Sequence, residues 1–214
     1  MISFDRREAL RYMGYHGAEP DAAVAESLER CAAELQAAVQ PKSISARFPL
    51  SFTGEDTMQI GDLTVTSANL ARNLRGCTEV YLMAATLGIG ADRLIVRASA
   101  VRMSDAVILQ AVAAAMIETC CDEVNDALRH MAEREGLYCR PRFSPGYGDF
   151  SIEHQRDFSR LLDTPRKIGL TVTESCLLAP IKSVTAVIGL SPEKQDCHRK
   201  GCEECGKTDC NFRR

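Results

Sequence analysis

The sequence predicts an α+β protein with an antiparallel or mixed sheet, followed by a separate Cys-rich tail. First, apolar residues at helical spacing and alternating, β-branched segments occur without a regular strand–helix–strand order. Second, 45% of the 214 residues are hydrophobic, which is enough for a core. Third, the chain turns polar after Pro192, and its last 18 residues hold four of its ten cysteines. We therefore predict one domain over residues 1–192 and a tail over 193–214.

Charge and apolar content exclude several classes of partner. The formal net charge is -3, so there is no basic surplus to hold a nucleic acid. The most apolar run, residues 106–121, is interrupted by Gln110 and Glu118 and is shorter than a membrane span. The N-terminal segment is charged from residue 5 and lacks the apolar centre of a signal peptide. We predict a soluble, cytoplasmic protein that binds neither nucleic acid nor membrane.

Two helices are predicted before the first strand. Asp5 is placed to cap a short helix that Gly14 ends. Residues 20–39 form the second helix, with Pro20 in its first turn and Pro41 after its end. The apolar positions of this helix have the expected spacing, at Leu28, Cys31, Ala32 and Leu35.

Alternation and β-branched residues predict the next elements. Strands are expected at residues 43–52, 57–67 and 79–88, the last of them buried. Ser67 is placed to cap a helix over residues 68–77 that lies between the second and the third strand.

A long helix is predicted over residues 103–135. Ser104 or Asp105 is placed to cap it, and Gly136 ends it. Its first half is apolar almost all round, which is typical of a buried helix, and its second half is amphipathic.

The C-terminal part of the domain is predicted to hold one helix and two strands. The helix covers residues 151–163, with Ser151 as its cap. Residues 167–180 and 182–190 have the composition of a closing pair of strands.

The loop before that helix, CRPRFSPGYGDFSIEH at residues 139–154, combines a stiff backbone with positive charge. Pro141 favours extended backbone at Arg140, which precedes it, and at Arg142 beside it. Pro145 followed by Gly146 is typical of a type II turn, and Tyr147 next to it offers a ring face. The free N–H groups at the start of the following helix add an anion-binding element.

These features together predict a site for a small ligand that carries a carboxylate and a flat ring. The guanidinium of Arg142 has the geometry to bind a carboxylate with two parallel hydrogen bonds. An ordinary strand-to-helix turn with a solvated arginine explains the same pattern equally well.

The loop also resembles a known motif. The run from Arg142 to Tyr147 is similar to the R-x-x-x-G-Y motif of the activation domain of cobalamin-dependent methionine synthase, in which a histidine and a helix follow, as His154 does here. A second segment resembles the T-E-S-x-x-x-x-P-x-x-S-V signature of the same family, matched by Thr173, Glu174, Ser175, Pro180, Ser183 and Val184. The resemblance is clear from about residue 100 to residue 191 and includes the opening segment REALRYMGYHG.

The resemblance implies a twisted, mainly antiparallel sheet flanked by helices, and S-adenosylmethionine as ligand. Arg142 would hold the methionyl carboxylate, and Glu118 would lie near the amino group of the ligand. The residues that line the ligand would be Ser144, Gly146 and Tyr147, with Glu174 as a second acid. His154 is expected to be a structural residue at the helix start. The chain departs from the family at Ile188, where the family has a tyrosine associated with the ligand.

The resemblance also implies a role in methionine synthesis. Activation domains bind S-adenosylmethionine and present its methyl group to the corrinoid. One electron reduces the inactive cob(II)alamin, and the coupled transfer of this methyl group restores methylcobalamin. The sequence holds no corrinoid, folate or homocysteine domain, so we expect a methyltransferase component that acts on a separate corrinoid-binding protein or homocysteine methyltransferase and needs an electron donor. No catalytic proton-transfer pair is expected, because the sulfonium is already an activated leaving group. The alternative is a non-catalytic module that assembles a split methionine synthase.

The tail predicts a metal site. Cys197, Cys202, Cys205 and Cys210 follow the spacing C-x4-C-x2-C-x4-C. Four thiolates on a short polar segment can bind zinc or an iron–sulfur cluster, which would allow a redox role as a third hypothesis. The alternatives are four reduced, exposed cysteines, or two disulfides in an oxidised preparation. Most of the other six cysteines are expected to be small buried hydrophobes.

Overall fold

The computed structural model describes residues 2–194 except residues 16 and 18. In chain order the helices are α1 (Arg6–Tyr12), α2 (Ala22–Ala38), α3 (Ala68–Asn73), α4 (Ile89–Val101), α5 (Met103–Glu133), α6 (Gln155–Leu162) and α7 (Thr164–Ile168). The strands are β1 (Lys42–Phe52), β2 (Thr57–Ile60), β3 (Leu63–Thr66), β4 (Glu79–Thr86), β5 (Tyr138–Cys139), β6 (Thr171–Val172), β7 (Leu178–Ala179) and β8 (Ser183–Ser191). A short 3-10 turn, Ile152–His154, precedes α6.

The main sheet has six strands in the order β3-β2-β1-β4-β8-β5, and every neighbouring pair is antiparallel. The centre is formed by β4, which pairs with β1 from Lys42 opposite Thr86 to Pro49 opposite Glu79. A separate hairpin joins β6 to β7. The predicted α+β class with a mainly antiparallel sheet and flanking helices is therefore confirmed.

Helices cover both faces of the sheet, because side chains alternate along each strand. Tyr81, Met83 and Ala85 of β4 face α1, α2, α4 and α5 in one apolar cluster. Val80 and Leu82 face the other way, toward the cluster that α3, α6 and α7 form. Each cluster is closed by fully buried side chains, such as Leu28, Leu35 and Leu109 on the first face and Leu70, Phe150 and Phe158 on the second.

The helix α5 is the long core helix that the sequence predicts. By length and composition it is apolar enough to cross a membrane, since its most apolar stretch has a mean hydropathy of 1.4. No apolar run of that length was expected from the sequence. However, 61% of its apolar window is buried inside the protein. The apolar side chains are used for packing against the sheet and the neighbouring helices, as in the core helix of a soluble domain.

Several predicted caps are confirmed and others are wrong. The carboxylate of Asp5 accepts from the N–H groups of the first turn of α1, and Ser67 caps α3. Pro20 does not lie in the first turn of α2, because Asp21 is the cap and the helix begins at Ala22. Neither Ser104 nor Asp105 caps α5. The residue at the cap position is Arg102, which is extended and makes no capping hydrogen bond with its side chain, and Ser104 and Asp105 already lie inside the helix.

The helix α4 was not predicted. Gly88, with φ +80°, turns the chain at the end of β4 so that a helix starts at once. Gly90 then packs against the end of α2, where a Cβ would lie only 1.9 Å from the carbonyl oxygen of Ala38. The close contact between α4 and α2 requires glycine at position 90. The sequence pattern alone did not identify this glycine as part of the start of a helix.

Residues 167–180 were predicted as one strand, which is wrong. They hold the end of α7 and the short β6–β7 hairpin. The hairpin forms because Thr173 accepts from the N–H of Cys176 at 3.0 Å, and Cys176 adopts the left-handed conformation with φ +62°. The β-branched residues that predicted a strand are thus divided between two strands of two residues each.

Candidate functional site

The loop that carries the R-x-x-x-G-Y motif starts at the edge of the sheet. Cys139 lies opposite Leu190 of β8, and Phe143 forms a bridge with Val187. Phe143 lies four residues after Cys139, whereas their partners Leu190 and Val187 are only three residues apart. The motif segment therefore has one extra residue, a β-bulge. The bulge contains Pro141, which has no N–H to donate to the sheet.

The motif itself folds into the predicted turn. The N–H of Tyr147 donates to the carbonyl of Ser144 at 3.2 Å, and Gly146 has φ +96°, as the third position of a type II turn requires. The N–H of Gly146 donates to the carbonyl of Phe150 at 2.8 Å and closes the loop. The ring of Tyr147 is 69% exposed, so it is available to a ligand.

Arg142 and Glu118 lie together in the structure. One guanidinium nitrogen of Arg142, Nη2, lies 3.3 Å from Oε2 of Glu118 and 2.8 Å from Oδ1 of Asp122. The two acids are four residues apart on α5 and so share one helix face. Asp122 was not among the predicted site residues, although its spacing from Glu118 indicates the same face. The site therefore presents one arginine and two carboxylates.

Asp149 anchors the motif loop to the start of α3. Its carboxylate accepts from Ser67 Oγ at 2.5 Å, from the N–H of Ala68 at 2.7 Å, and from Asn69 through both its N–H and its side-chain amide. The hydrogen bond from Ser67, followed by those from the backbone, lowers the pKa of Asp149 to about 2. The sequence gives no local signal for this contact, because the partners are about 80 residues apart.

The two arginines beside Pro141 have different surroundings. Arg140 is 96% buried, and its Nη2 donates to Ser191 Oγ at 3.2 Å and to the carbonyl of Arg75 at 3.4 Å. Arg142 remains partly exposed next to the acids of α5. Arg140 therefore holds the loop on the sheet, whereas Arg142 is accessible to a ligand.

His154 belongs to the packing below the loop. Its ring stacks on Phe150 at a centroid distance of 5.2 Å, and its Nδ1 lies 2.9 Å from a carboxylate oxygen of Asp157. Phe150 also contacts Phe143 and Phe158. These contacts agree with the predicted structural role of His154 at the start of α6.

Two further predicted positions lie apart from the Arg142 cluster. Glu174 is an exposed residue in the turn of the β6–β7 hairpin, and its backbone carbonyl accepts from Arg156 at 2.6 Å. Ile188 is fully buried against α5 and lies opposite Tyr81. At this position the side chain contributes to the core and does not reach a ligand on the surface.

The predicted metal ligands Cys197, Cys202, Cys205 and Cys210 lie outside the described residues, and so does almost all of the predicted tail. Within residues 2–194 apart from 16 and 18, no group of three or more His, Cys, Asp or Glu side chains is arranged to hold a metal ion. Of the six cysteines in this part, five are buried. Burial raises the pKa of Cys121 to about 12, as expected for an unreactive core thiol.

Comparison with known proteins adds one finding. No protein-family profile matches the sequence, and no curated protein matches it significantly. The fold matches the crystal structure of the MetH reactivation domain bound to AdoHcy, with a TM-score of 0.62 and 16% sequence identity. The match covers 88% of this chain and 76% of that chain. The chain therefore shares the fold of the MetH reactivation domain.

Proposed function

We propose that this protein binds S-adenosylmethionine and supports the reactivation of a cobalamin-dependent methyltransferase. The observation that carries the proposal is the position of the R-x-x-x-G-Y turn. On a fold shared with an AdoHcy-bound domain, this turn places Arg142 beside Glu118. AdoHcy is S-adenosylmethionine without its methyl group, so both ligands present the same carboxylate, amino group and adenosine.

The residues of the site fit the amino-acid part of this ligand. A carboxylate at Arg142 would replace Glu118 and Asp122 as partner of the guanidinium, and the acids released would lie next to the ligand's ammonium group. The carboxylate and the ammonium group of the ligand cancel each other, so its amino-acid part leaves the net charge of the site at 1 − 2 = −1. The turn at Ser144 and Gly146 would line the ligand, and the exposed ring of Tyr147 provides a face for the adenine.

The contribution of this chain is binding and orientation. S-adenosylmethionine supplies an activated methyl group, and a corrinoid on a separate protein is the acceptor. The type II turn, the anchor at Asp149 and the packing of Phe150 hold the loop in one geometry before the ligand arrives. No proton needs to move for methyl transfer from a sulfonium, so the role does not require a general base.

The proposed partners follow from this division of work. A corrinoid-binding protein or a homocysteine methyltransferase would dock beside the loop, and a reductase or ferredoxin-like protein would donate the electron. Such partners are cytoplasmic, and we propose the same location for this chain. Glu174, in the hairpin turn, would contact the partner or the far end of the ligand.

Isothermal titration calorimetry with S-adenosylmethionine and AdoHcy tests the proposal. We expect saturable binding of both, and a loss of at least about tenfold in affinity in Arg142→Gln, because one charge-assisted contact contributes about 1.5–3 kcal/mol. Arg166→Gln is the matched control, since Arg166 is 87% exposed and pairs only with Asp163 among the described residues. Absence of binding to the folded wild-type protein, or equal affinities in the two variants, would refute the proposal.

A second candidate function is a non-catalytic module that docks on the corrinoid protein. Tyr147 and Ile152 favour it, because both are exposed beside the loop and Ile152 contributes apolar surface. Capture of the purified corrinoid protein with and without S-adenosylmethionine distinguishes the two functions. Capture that is independent of the ligand and is lost in Ile152→Ser supports the docking module.

The Cys-rich tail carries a separate proposal. We propose that Cys197, Cys202, Cys205 and Cys210 bind one zinc ion or an iron–sulfur cluster. Anaerobic purification followed by visible absorbance and metal analysis tests it, with Cys202→Ser as the variant and Cys176→Ser, a buried core cysteine, as the control. Metal content that does not fall in Cys202→Ser would refute a site in the tail.

A further inference from the structure

A cavity of about 330 Å³ lies between α2, α4 and the start of α5. Its volume is at the lower end of the range of small-molecule sites. Leu109 lines it, nine residues before Glu118 on the same helix, which is roughly 14 Å along the helix axis. The cavity is therefore distinct from the loop that carries Arg142.

The rim of the cavity is positively charged. It is lined by Arg30, Arg97 and Arg102 and by two acids, Glu34 and Asp105, so its net charge is 3 − 2 = +1. Arg30 already lies 3.3 Å from Glu34 and 3.0 Å from Asp105, and Asp105 also lies 3.5 Å from Arg102. Both acids are thus engaged.

Arg97 is the cation that remains. Within residues 2–194, apart from 16 and 18, no carboxylate lies within ion-pair distance of it. Arg102 shares its only acid with Arg30. The three arginines of the rim have only two carboxylates as partners. The remaining positive charge near Arg97 and Arg102 favours the binding of an anion.

The floor of the cavity is apolar. The thiol of Cys31 and the side chains of Leu94 and Leu109 are buried, and Ala98 leaves open volume because its side chain is a single methyl group. Burial raises the pKa of Cys31, so this thiol is neutral at physiological pH. A ligand that extends into this space gains by removing apolar surface from water.

We propose that the cavity binds a small organic monoanion, a carboxylate with a short apolar body. The carboxylate lies between Arg97 and Arg102, and the apolar body fills the space above Cys31 and Ala98. One negative charge neutralises the rim, whereas a phosphate dianion brings an excess charge toward Glu34 and Asp105 and has no apolar part for the floor. This site does not rest on the function proposed for the Arg142 loop.

Amide NMR spectra of the purified protein test the site, with hexanoate as the probe. We expect saturable shifts at Cys31, Leu94 and Leu109. Hexan-1-ol, which lacks the charge, and inorganic phosphate, which lacks the apolar body, are expected to bind at least about fivefold more weakly. Equal binding of hexan-1-ol would overturn the assignment to a carboxylate.

Two variants distinguish this cavity from non-specific binding. Arg97→Gln removes the unpaired cation and is expected to weaken hexanoate about tenfold. Arg93→Gln, an exposed residue one turn earlier on α4 and outside the cavity, is the control and should leave the affinity unchanged. Ala98→Leu fills the space and should abolish binding.

The outcomes decide the proposal in either direction. Hexanoate binding that is equal in Arg97→Gln and Arg93→Gln, or that persists in a folded Ala98→Leu protein, overturns it, as does the lack of any saturable shift in the wild type. Titration of S-adenosylmethionine into Arg97→Gln separates the two sites, because that affinity is expected to remain at the wild-type value.

Discussion

Gly189 is a position where one added methyl group is expected to disturb the packing that holds the motif loop. It lies in β8, where its carbonyl accepts from the N–H of Arg140 at 2.8 Å. A Cβ there would lie 2.7 Å from Cys77 Sγ, 2.7 Å from a methyl group of Leu74 and 3.1 Å from Cγ of Arg140. All three contacts are shorter than ordinary van der Waals distance. Gly189→Ala must therefore move β8, Leu74 or the stem of Arg140.

The loss of stability in Gly189→Ala follows from the packed atoms that the new methyl group must displace. Extra volume in a well-packed core costs about 1–3 kcal/mol, and in a domain of this size each kcal/mol lowers Tm by about 2–4 °C. We expect Tm to fall by roughly 3–10 °C in thermal unfolding followed by circular dichroism. Because Arg140 anchors the motif loop, affinity for S-adenosylmethionine should fall as well.

Gly54→Ala is the matched control. The nearest atom to its Cβ would be a carbon of Thr57 at 3.5 Å, an ordinary contact, so Tm should change by no more than about 1–2 °C. Adding Cys77→Ala to Gly189→Ala removes one of the three close contacts, and the double variant should lose less stability than the sum of the two single changes. An unchanged Tm in Gly189→Ala would refute the packing argument.

Three other predictions concern the same region. Arg140→Leu should destabilise by about 2–4 kcal/mol in urea unfolding, because the Ser191 hydroxyl and the carbonyl of Arg75 each lose a hydrogen bond from the buried guanidinium, whereas Arg142→Leu should cost no more than about 1 kcal/mol, since its ion pairs are partly exposed. Asp149 has its pKa lowered to about 2, so its contribution to stability is present above about pH 4 and is lost as the pH falls toward 2. Urea midpoints should therefore depend less on pH over that range in Asp149→Asn. Thr185→Val should cost about 1–3 kcal/mol, because the buried amide of Gln155 loses its partner at 2.5 Å.

The sequence predicts those features of the fold that depend on local chemistry. Asp5 and Ser67 act as caps, and the Pro145–Gly146 pair forms the type II turn, because each requires only neighbouring residues. Alternation, which is also local, predicts β1, β4 and β8, but the single strand expected over residues 57–67 is wrong, because the chain turns at Gly61 and forms the β2–β3 hairpin, and β5 was not predicted. The start of α4 was missed because it depends on the close approach of Gly90 to Ala38, a contact between helices.

The candidate site also divides into residues that the sequence predicts and residues that depend on distant contacts. Arg142 was chosen from a motif and Glu118 as the acid that the resemblance implies on the long helix, and the structure brings them together. Asp149 was missed because a carboxylate that caps a helix from a loop about 80 residues away leaves no mark in the local sequence. Glu174 was chosen from a second motif, but its place in a hairpin turn depends on how that segment folds back.

Arg140 and Arg142 point to opposite faces of the sheet, and a regular strand would not allow this arrangement. Residues two apart in a regular strand point to the same face of the sheet, so both arginines would lie together. Here the stem of Arg140 packs over Gly189 on one face, whereas Arg142 reaches Glu118 of α5 on the other. The extra residue of the bulge at Pro141 causes this change of face. The bulge therefore allows one arginine to be buried as the anchor of the loop while its neighbour stays accessible to a carboxylate.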